Sequence, residues 1–207
     1  MSHAFLQDAR FWRLLFDLDR DLAMEVQQAG CRHCGGVLHS ARYPRKPRGV
    51  AHSMLEEEWS GWRLSFCCAT QECRRRTTPP SVRFFNRRVY WGALVVLVTA
   101  LSQGLTGGSR ARLREAFGLS TRTLRRWQRW WREVFPVADF WRGAVGRFIP
   151  SVTVEQLPAS LLERFGAWDR CETLIAVLGF LAPLSLASRA GSLKGGHDPQ
   201  TMRLPLR

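Results

Sequence analysis

Hydrophobic residues near the start of the chain recur at the spacing of an α-helix. Between residues 9 and 28 they follow one another at steps of three and four positions, and Gly30 closes the run. These positions are Phe11, Leu14, Leu15, Leu18, Leu22 and Val26. Because such steps place side chains on one face, the pattern predicts an amphipathic helix within an N-terminal segment of residues 1–30.

Residues 31–85 show the shorter patterns of β-strands and turns. The stretches GVLHSARY and WRLSFCC are typical of strands, and the proline- and arginine-rich PRKPRG between them is typical of a loop. After its proline turn, TTPPSVRFF predicts a short third strand. A small β domain is therefore expected in this part of the chain.

Helical spacing returns at residue 86. Asn86 is expected to cap a helix that continues through RRVYWGALVVLVTALSQ to about Gln103. The glycines at 104, 107 and 108 then break the pattern. This stretch predicts one long, buried helix.

The stretch RARLREAFGLSTRTLRRWQRWW predicts two helices joined by a tight turn. Gly118 supplies the turn, and Leu119 is expected to fill the core beside it. Ser120, or alternatively Thr121, is placed to cap the second helix. Two helices with such a turn are the elements of a helix-turn-helix, which we expect to complete a unit of residues 86–135.

The second helix of this pair has two chemically different faces. At about 100° per residue, the residues predicted to pack inward are Leu124, Trp127, Trp131, Val134 and Phe135. Those predicted to point outward are Arg122, Arg125, Arg126, Arg129 and Arg132. One face is thus suited to packing and the other to an anionic partner, although an ordinary helical bundle with a solvated arginine face has the same pattern.

Residues 136–190 predict shorter helices separated by prolines, near 138–148, 157–165 and 173–188. Their apolar excess predicts a surface for a homo-oligomer or a protein partner, although a plain core explains it almost as well. The glycine-containing stretch 191–207 is expected to be a flexible tail.

The charge balance indicates the kind of partner. The chain has 31 basic and 17 acidic residues, a net charge of +14, and only Lys46 and Lys194 are lysines. The commonest partner of such a charge is nucleic acid, whose phosphates and guanine edges suit the arginine fork. The expected contacts with base edges are Arg122, Thr123 and Arg126. The expected contacts with phosphates are Arg125, Arg129 and Arg132.

Five of the six cysteines fall into two groups with metal-ligand spacing. CRHCGG contains Cys31 and Cys34, and FCCATQECRRR contains Cys67, Cys68 and Cys73. Four thiolates in two turns suit tetrahedral zinc. Strand alternation favours Cys68 as the third ligand, with Cys67 as the alternative. We therefore predict a Zn²⁺ site of Cys31, Cys34, Cys68 and Cys73, and a mostly α fold with a small β zinc-ribbon, a helix-turn-helix and a helical C-terminal segment.

The hydrophobic stretches do not predict export or membrane insertion. The N-terminus lacks a basic start followed by an uninterrupted apolar run. The longest apolar stretches, 91–101 and 173–187, are shorter than the roughly 20 residues of a membrane span. These features predict a cytoplasmic bacterial protein, associated with the nucleoid and not with a membrane.

Three motifs carry a resemblance to a known group of proteins. CRHCGG, CRRRTTPPSVRFFNRRVY and LREAFGLSTRTLRRWQRWW lie between residues 31 and 134. They resemble the zinc-ribbon and helix-turn-helix DNA-binding proteins of bacterial insertion sequences and other transposons. The resemblance implies that the ribbon and the helix-turn-helix recognise the ends of the element. It also implies a transposase as a partner, because a separate catalytic domain cuts and joins the DNA.

The acidic residues do not predict a catalytic domain. Strand transfer by an RNase H-like fold needs three spaced carboxylates that hold two metal ions, yet no aspartate occurs between Asp21 and Asp139. The sequence thus predicts a non-catalytic, sequence-specific protein that binds double-stranded DNA and is accessory to transposition or represses it. The alternatives are a degraded transposase or nuclease fragment and a zinc-stabilised module that binds protein or RNA.

Overall fold

The fold is mostly helical, with one small antiparallel sheet, as the sequence predicts. The computed structural model describes residues 4–45, 47–50, 61–85, 90–166 and 169–186. Seven α-helices and three strands occur within these ranges.

Helix α1, Ala9–Ala29, is the predicted amphipathic helix. Asp8 caps it by accepting a hydrogen bond from the backbone N–H of Arg10, and Gly30 ends it with φ 75°. The buried face contains Phe11, Trp12, Leu15, Asp19, Leu22 and Ala23. Leu14, which was expected on that face, is 44% exposed.

The sheet has strands β1, Leu38–Pro44, β2, Trp62–Cys68, and β3, Arg76–Thr77, in the order β1-β2-β3. The first two strands occupy the predicted positions. The third prediction was wrong, because β3 lies before the prolines. The backbone N–H of Val82, beyond the prolines, donates to the Asp19 carboxylate at 2.7 Å and so does not pair with a strand.

Helices α2, Gly92–Gln103, α3, Gly107–Ala116, and α4, Thr121–Arg129, follow the sheet. Helix α2 ends where expected and begins at Gly92, whereas its predicted cap, Asn86, lies outside the described residues. Gly107 and Gly108 do not form a linker. Thr106 accepts a hydrogen bond from the backbone N–H of Ser109, so both glycines belong to the first turn of α3.

The C-terminal segment has helices at the three predicted places. These are α5, Asp139–Ala144, α6, Ala159–Arg164, and α7, Arg170–Leu181. Short 3₁₀ turns follow α5 and α7. The predicted tail, 191–207, lies outside the described residues. Among the helices in the described part of the chain, none is long and apolar enough to cross a bilayer.

Helix α2 is the centre of the main hydrophobic core. It contacts α3, α4, α6 and α7, and its residues from Gly92 to Thr99 are all buried. Trp127 and Trp131 pack into the same core, being 1% and 0% exposed. A second, smaller core contains Ala23 of α1 and residues of the sheet. The long helix α1 therefore packs against both the sheet and the helical core.

Candidate metal centre and candidate nucleic-acid interface

The four predicted cysteine ligands meet at one end of the sheet. Cys31 and Cys34 lie in the turn after α1, Cys68 ends β2, and Cys73 lies in the turn before β3. Their Sγ atoms all lie within 4.8 Å of one another. Four thiolates at this separation match the donor set of a tetrahedral structural metal site. The cluster is thus compatible with binding one metal ion, and we call it the four-cysteine cluster.

Two similar turns present the sulfur atoms. In the first, the backbone N–H groups of Cys34 and Gly35 donate to the Cys31 carbonyl at 3.3 and 2.7 Å. In the second, those of Cys73 and Arg74 donate to the Thr70 carbonyl, both at 3.0 Å. Both turns contain a left-handed residue, Gly35 at φ 71° and Arg74 at φ 43°. These turns bring two thiols from each side toward a common point.

Space around the cluster explains the second glycine of CRHCGG. A side chain at Gly36 would collide with the Thr70 hydroxyl and lie 3.3 Å from Sγ of Cys34. Gly36 also places its backbone N–H near that sulfur atom. This N–H is the main cause that lowers the pKa of the Cys34 thiol to about 6, and the Thr70 hydroxyl and the Cys68 thiol add to it.

In the second turn, the thiol of Cys73 has a raised pKa and so keeps its proton more firmly than Cys34 does. The backbone N–H of Arg75 lowers the pKa of the Cys73 thiol, but burial and the neighbouring thiols of Cys34 and Cys31 raise it to about 11. A positive ion at the centre would favour the thiolate form of every member. Metal binding at this cluster is therefore expected to release protons.

Among the described residues, no further cysteine or histidine joins the four-cysteine cluster. Cys67 donates its S–H toward the carbonyls of Cys68 and Arg74 at 3.7 and 3.6 Å. The structure thus brings Cys68 into the cluster and not its neighbour. His33 forms a 3.0 Å hydrogen bond with Arg75, whereas His52 lies outside the described residues.

The outer side of α4 and of the turn that follows it carries the arginines predicted to face outward. All five are exposed: Arg122, Arg125, Arg126, Arg129 and Arg132. On the opposite side, Leu124 and Trp127 are 2% and 1% exposed. The Ser120 hydroxyl accepts a hydrogen bond from the backbone N–H of Thr123 and caps the helix as predicted. We call the five exposed side chains the arginine face.

Thr123 does not belong to this face, which argues against the predicted contact with a base edge. Its side chain is turned toward the helix cap, where its hydroxyl lies 3.0 Å from that of Ser120. The residue is only 9% exposed. A hydroxyl held in the cap cannot reach a base edge without breaking this contact.

A π-helical turn, Trp130–Val134, continues α4 and changes the direction of the side chains that follow. Val134 was predicted to pack inward but is 44% exposed, whereas Phe135 is fully buried. The prediction assumed a constant 100° per residue, and a wider turn rotates later residues away from that position. Trp131 keeps its inward direction and packs at 0% exposure.

Two residues that the sequence reasoning missed hold the C-terminal half of α4. Gln128 donates a hydrogen bond to the Ser102 hydroxyl of α2 at 3.1 Å. Glu133 forms a 2.6 Å ion pair with Arg129. Glu133 follows Arg129 by four residues, and this spacing on a helix favours an ion pair, so the sequence contained the signal.

The arginine face is therefore divided along its length. Arg129 is paired with Glu133, and the Nε of Arg132 donates to the Gln128 carbonyl at 3.3 Å. The side chains of Arg122, Arg125 and Arg126 make no hydrogen bond or ion pair within the described ranges. The N-terminal half of α4 thus presents three cations that are available to a partner.

Comparisons with protein families, with curated proteins and with solved structures return no match for this chain.

Proposed function

We propose that the protein binds double-stranded DNA in a sequence-specific way and has no catalytic activity. The observation that carries this proposal is the arginine face of α4, which exposes five cations on a helix anchored by buried tryptophans. A helix held this rigidly on one side can lie in the major groove with the other. The chain's net charge of +14 supplies the attraction to phosphates.

Within this proposal, α3 and α4 act as the helix-turn-helix. Arg122 and Arg126, on the unengaged half of α4, contact base edges, because the arginine fork matches the O6 and N7 acceptors of guanine. Arg125 contacts the phosphate backbone. Arg75 and Arg76, which follow Cys73 in the chain, are also exposed and add to the positive charge offered to phosphates.

The metal proposed for the four-cysteine cluster is zinc. A closed set of four thiolates is the usual donor set of structural zinc sites, and it leaves no position for a reacting water. Zinc at this position would fix the two turns and the sheet relative to each other. It supports the fold and takes no part in a reaction.

The biological setting is proposed from the resemblance of the three motifs alone. It places the protein with a bacterial mobile element, where it would help a transposase at the ends of the element or repress the element's own genes. The C-terminal helices would then pair two copies of the chain or contact the transposase. A cytoplasmic, nucleoid-associated location follows from DNA binding.

Alanine variants of α4 test the proposal. Arg122→Ala or Arg126→Ala is expected to weaken binding to a selected duplex by about 1 to 3 kcal/mol and to relax the sequence preference. Arg125→Ala is expected to weaken binding to all duplexes alike. The matched control is Arg147→Ala, an exposed arginine of the C-terminal segment.

Fluorescence anisotropy with selected and scrambled duplexes measures these effects. Equal losses on both duplexes from all four variants would contradict the assigned roles, because the arginines would then act only through total charge.

A further inference from the structure

An acidic side chain lies at the end of the arginine face. Residues 107–134, which form α3, α4 and the π-helical turn, contain eight arginines and only two acidic residues, Glu115 and Glu133. Glu115 lies on the other helix, α3. Glu133 is the only acidic residue between residues 121 and 134. Its carboxylate is thus the only negative side chain in the stretch of sequence that carries the arginine face.

The geometry directs this carboxylate at one particular arginine. Oε2 of Glu133 lies 2.6 Å from Nε of Arg129, and the two side chains are 57% and 76% exposed. The hydrogen bond to Glu133 is the main cause that raises the pKa of Arg129. Arg129 therefore stays charged, with its charge directed at a partner on its own helix.

The contact between Glu133 and Arg129 spans the junction between α4 and the π-helical turn. Glu133 lies within Trp130–Val134, whereas Arg129 is the last residue of the α-helical part. The next residue, Trp130, packs against Trp131 with a ring-centroid distance of 4.8 Å. The junction between the two helix types is thus fixed by aromatic packing on the inner side.

We propose that Glu133 keeps Arg129 from contacting the DNA backbone and so limits non-specific binding to nucleic acid. This inference rests on the proposed DNA-binding function. It divides the arginine face into a contacting half, Arg122, Arg125 and Arg126, and a half whose charge is neutralised within the helix. Glu133 thus limits the sequence-independent part of the affinity and contacts no base.

The physical reason is the cost of excess charge. Each phosphate neutralised adds about 0.9 to the slope of log affinity against log salt, on every sequence alike. A chain with a net charge of +14 already attracts any polyanion. One fewer contact with a DNA phosphate lowers the affinity for all nucleic acids. The contacts with bases then supply a larger share of the remaining binding free energy.

Glu133→Gln tests this inference in the full-length protein. On a scrambled duplex at about 0.1 M salt, the variant is expected to bind about five to ten times more tightly than the wild type, with a salt slope steeper by about 0.9. The matched control is Glu163→Gln, which removes the same charge from an exposed site on α6 and is expected to leave both quantities unchanged.

A double-mutant cycle identifies the route of the effect. If Glu133 acts through Arg129, Glu133→Gln is expected to change affinity by less than about twofold in an Arg129→Gln background. Thermal unfolding of each variant separates this result from a change in stability.

The outcomes distinguish the two proposals. Tighter binding by Glu133→Gln that disappears in the Arg129→Gln background supports the inference. If the wild type binds DNA and Glu133→Gln does not change its affinity, the inference is overturned and the proposed function stands. The same holds if Glu163→Gln increases the affinity as much as Glu133→Gln does. Absence of DNA binding by the wild type and all variants overturns both.

Discussion

Two adjacent cysteines at the end of β2 have different surroundings. Cys68 is fully buried, and its Sγ lies 3.4 Å from that of Cys34. Cys67 points to the other side of the strand, toward the Arg74 carbonyl. Strand alternation was enough to favour Cys68 from the sequence, because successive side chains of a strand point to opposite faces.

Serine variants of these cysteines make the difference measurable. Cys34→Ser removes one thiolate of the four-cysteine cluster and is expected to reduce bound zinc well below about one equivalent per chain. Cys67→Ser is the matched control, because it removes the neighbouring thiol, which is directed at the Arg74 carbonyl and is not part of the cluster, and it is expected to keep the full equivalent. Elemental analysis after dialysis measures both. Equal zinc content in the two variants would show that the cluster is not the zinc site.

Thr123 and Val134 show the limits of prediction for single residues. A helical wheel places both by rotation alone and contains no information about caps or wider turns. Thr123 was withdrawn from the surface by its contact with Ser120. Val134 was turned outward by the π-helical turn. The wheel was correct for Leu124 and Trp127, which lie in the regular part of α4.

At the scale of elements, one buried carboxylate joins α1 to the rest of the fold. Asp19 is 1% exposed and accepts hydrogen bonds from the Ser81 hydroxyl, the Val82 N–H and Nε of Arg83 at 2.7 to 2.8 Å. Arg83 is also 1% exposed, and its Nη2 donates a hydrogen bond to the Trp62 carbonyl of β2. This network ties α1, the chain after the prolines and the sheet into one structure.

Removing this carboxylate should destabilise the protein strongly. Asp19→Ala removes the carboxylate that pairs with the buried Arg83, and breaking a buried ion pair by removing one partner costs about 3 to 5 kcal/mol in the free energy of unfolding. The control is Asp17→Ala, whose side chain is 44% exposed and pairs with Arg13 and Arg20 at the surface. Such surface pairs contribute about 0 to 1 kcal/mol. Urea unfolding followed by circular dichroism compares the two, and similar losses would contradict the structural role of Asp19.

The sequence predicted the elements that depend on local pattern and missed what depends on distant partners. Helix α1 and strands β1 and β2 follow from periodicity. The segment after Pro80 reads as a strand in isolation, but Asp19, far away in sequence, binds its backbone. The spacing from Leu15 to Asp19 and Leu22 places the carboxylate on the buried face of α1. That signal predicts burial and does not identify the partner.

At the scale of the whole molecule, positive charge is unevenly distributed. Residues 136–186 contain four arginines and five acidic residues, so the excess of basic residues lies almost entirely outside them. The four-cysteine cluster and the arginine face belong to the strongly basic part. This distribution supports the proposal that the part before residue 136 binds nucleic acid and the nearly neutral segment after it contacts protein.

The measurement that tests the central claim most directly is selection of duplexes from a random DNA library by the zinc-loaded protein. About physiological salt is used, because it suppresses non-specific phosphate binding. We expect enrichment of a defined motif, which is weakened when the selection is repeated with Arg126→Ala. Retention of DNA without an enriched motif would contradict sequence-specific recognition and leave the arginine face with general affinity for polyanions.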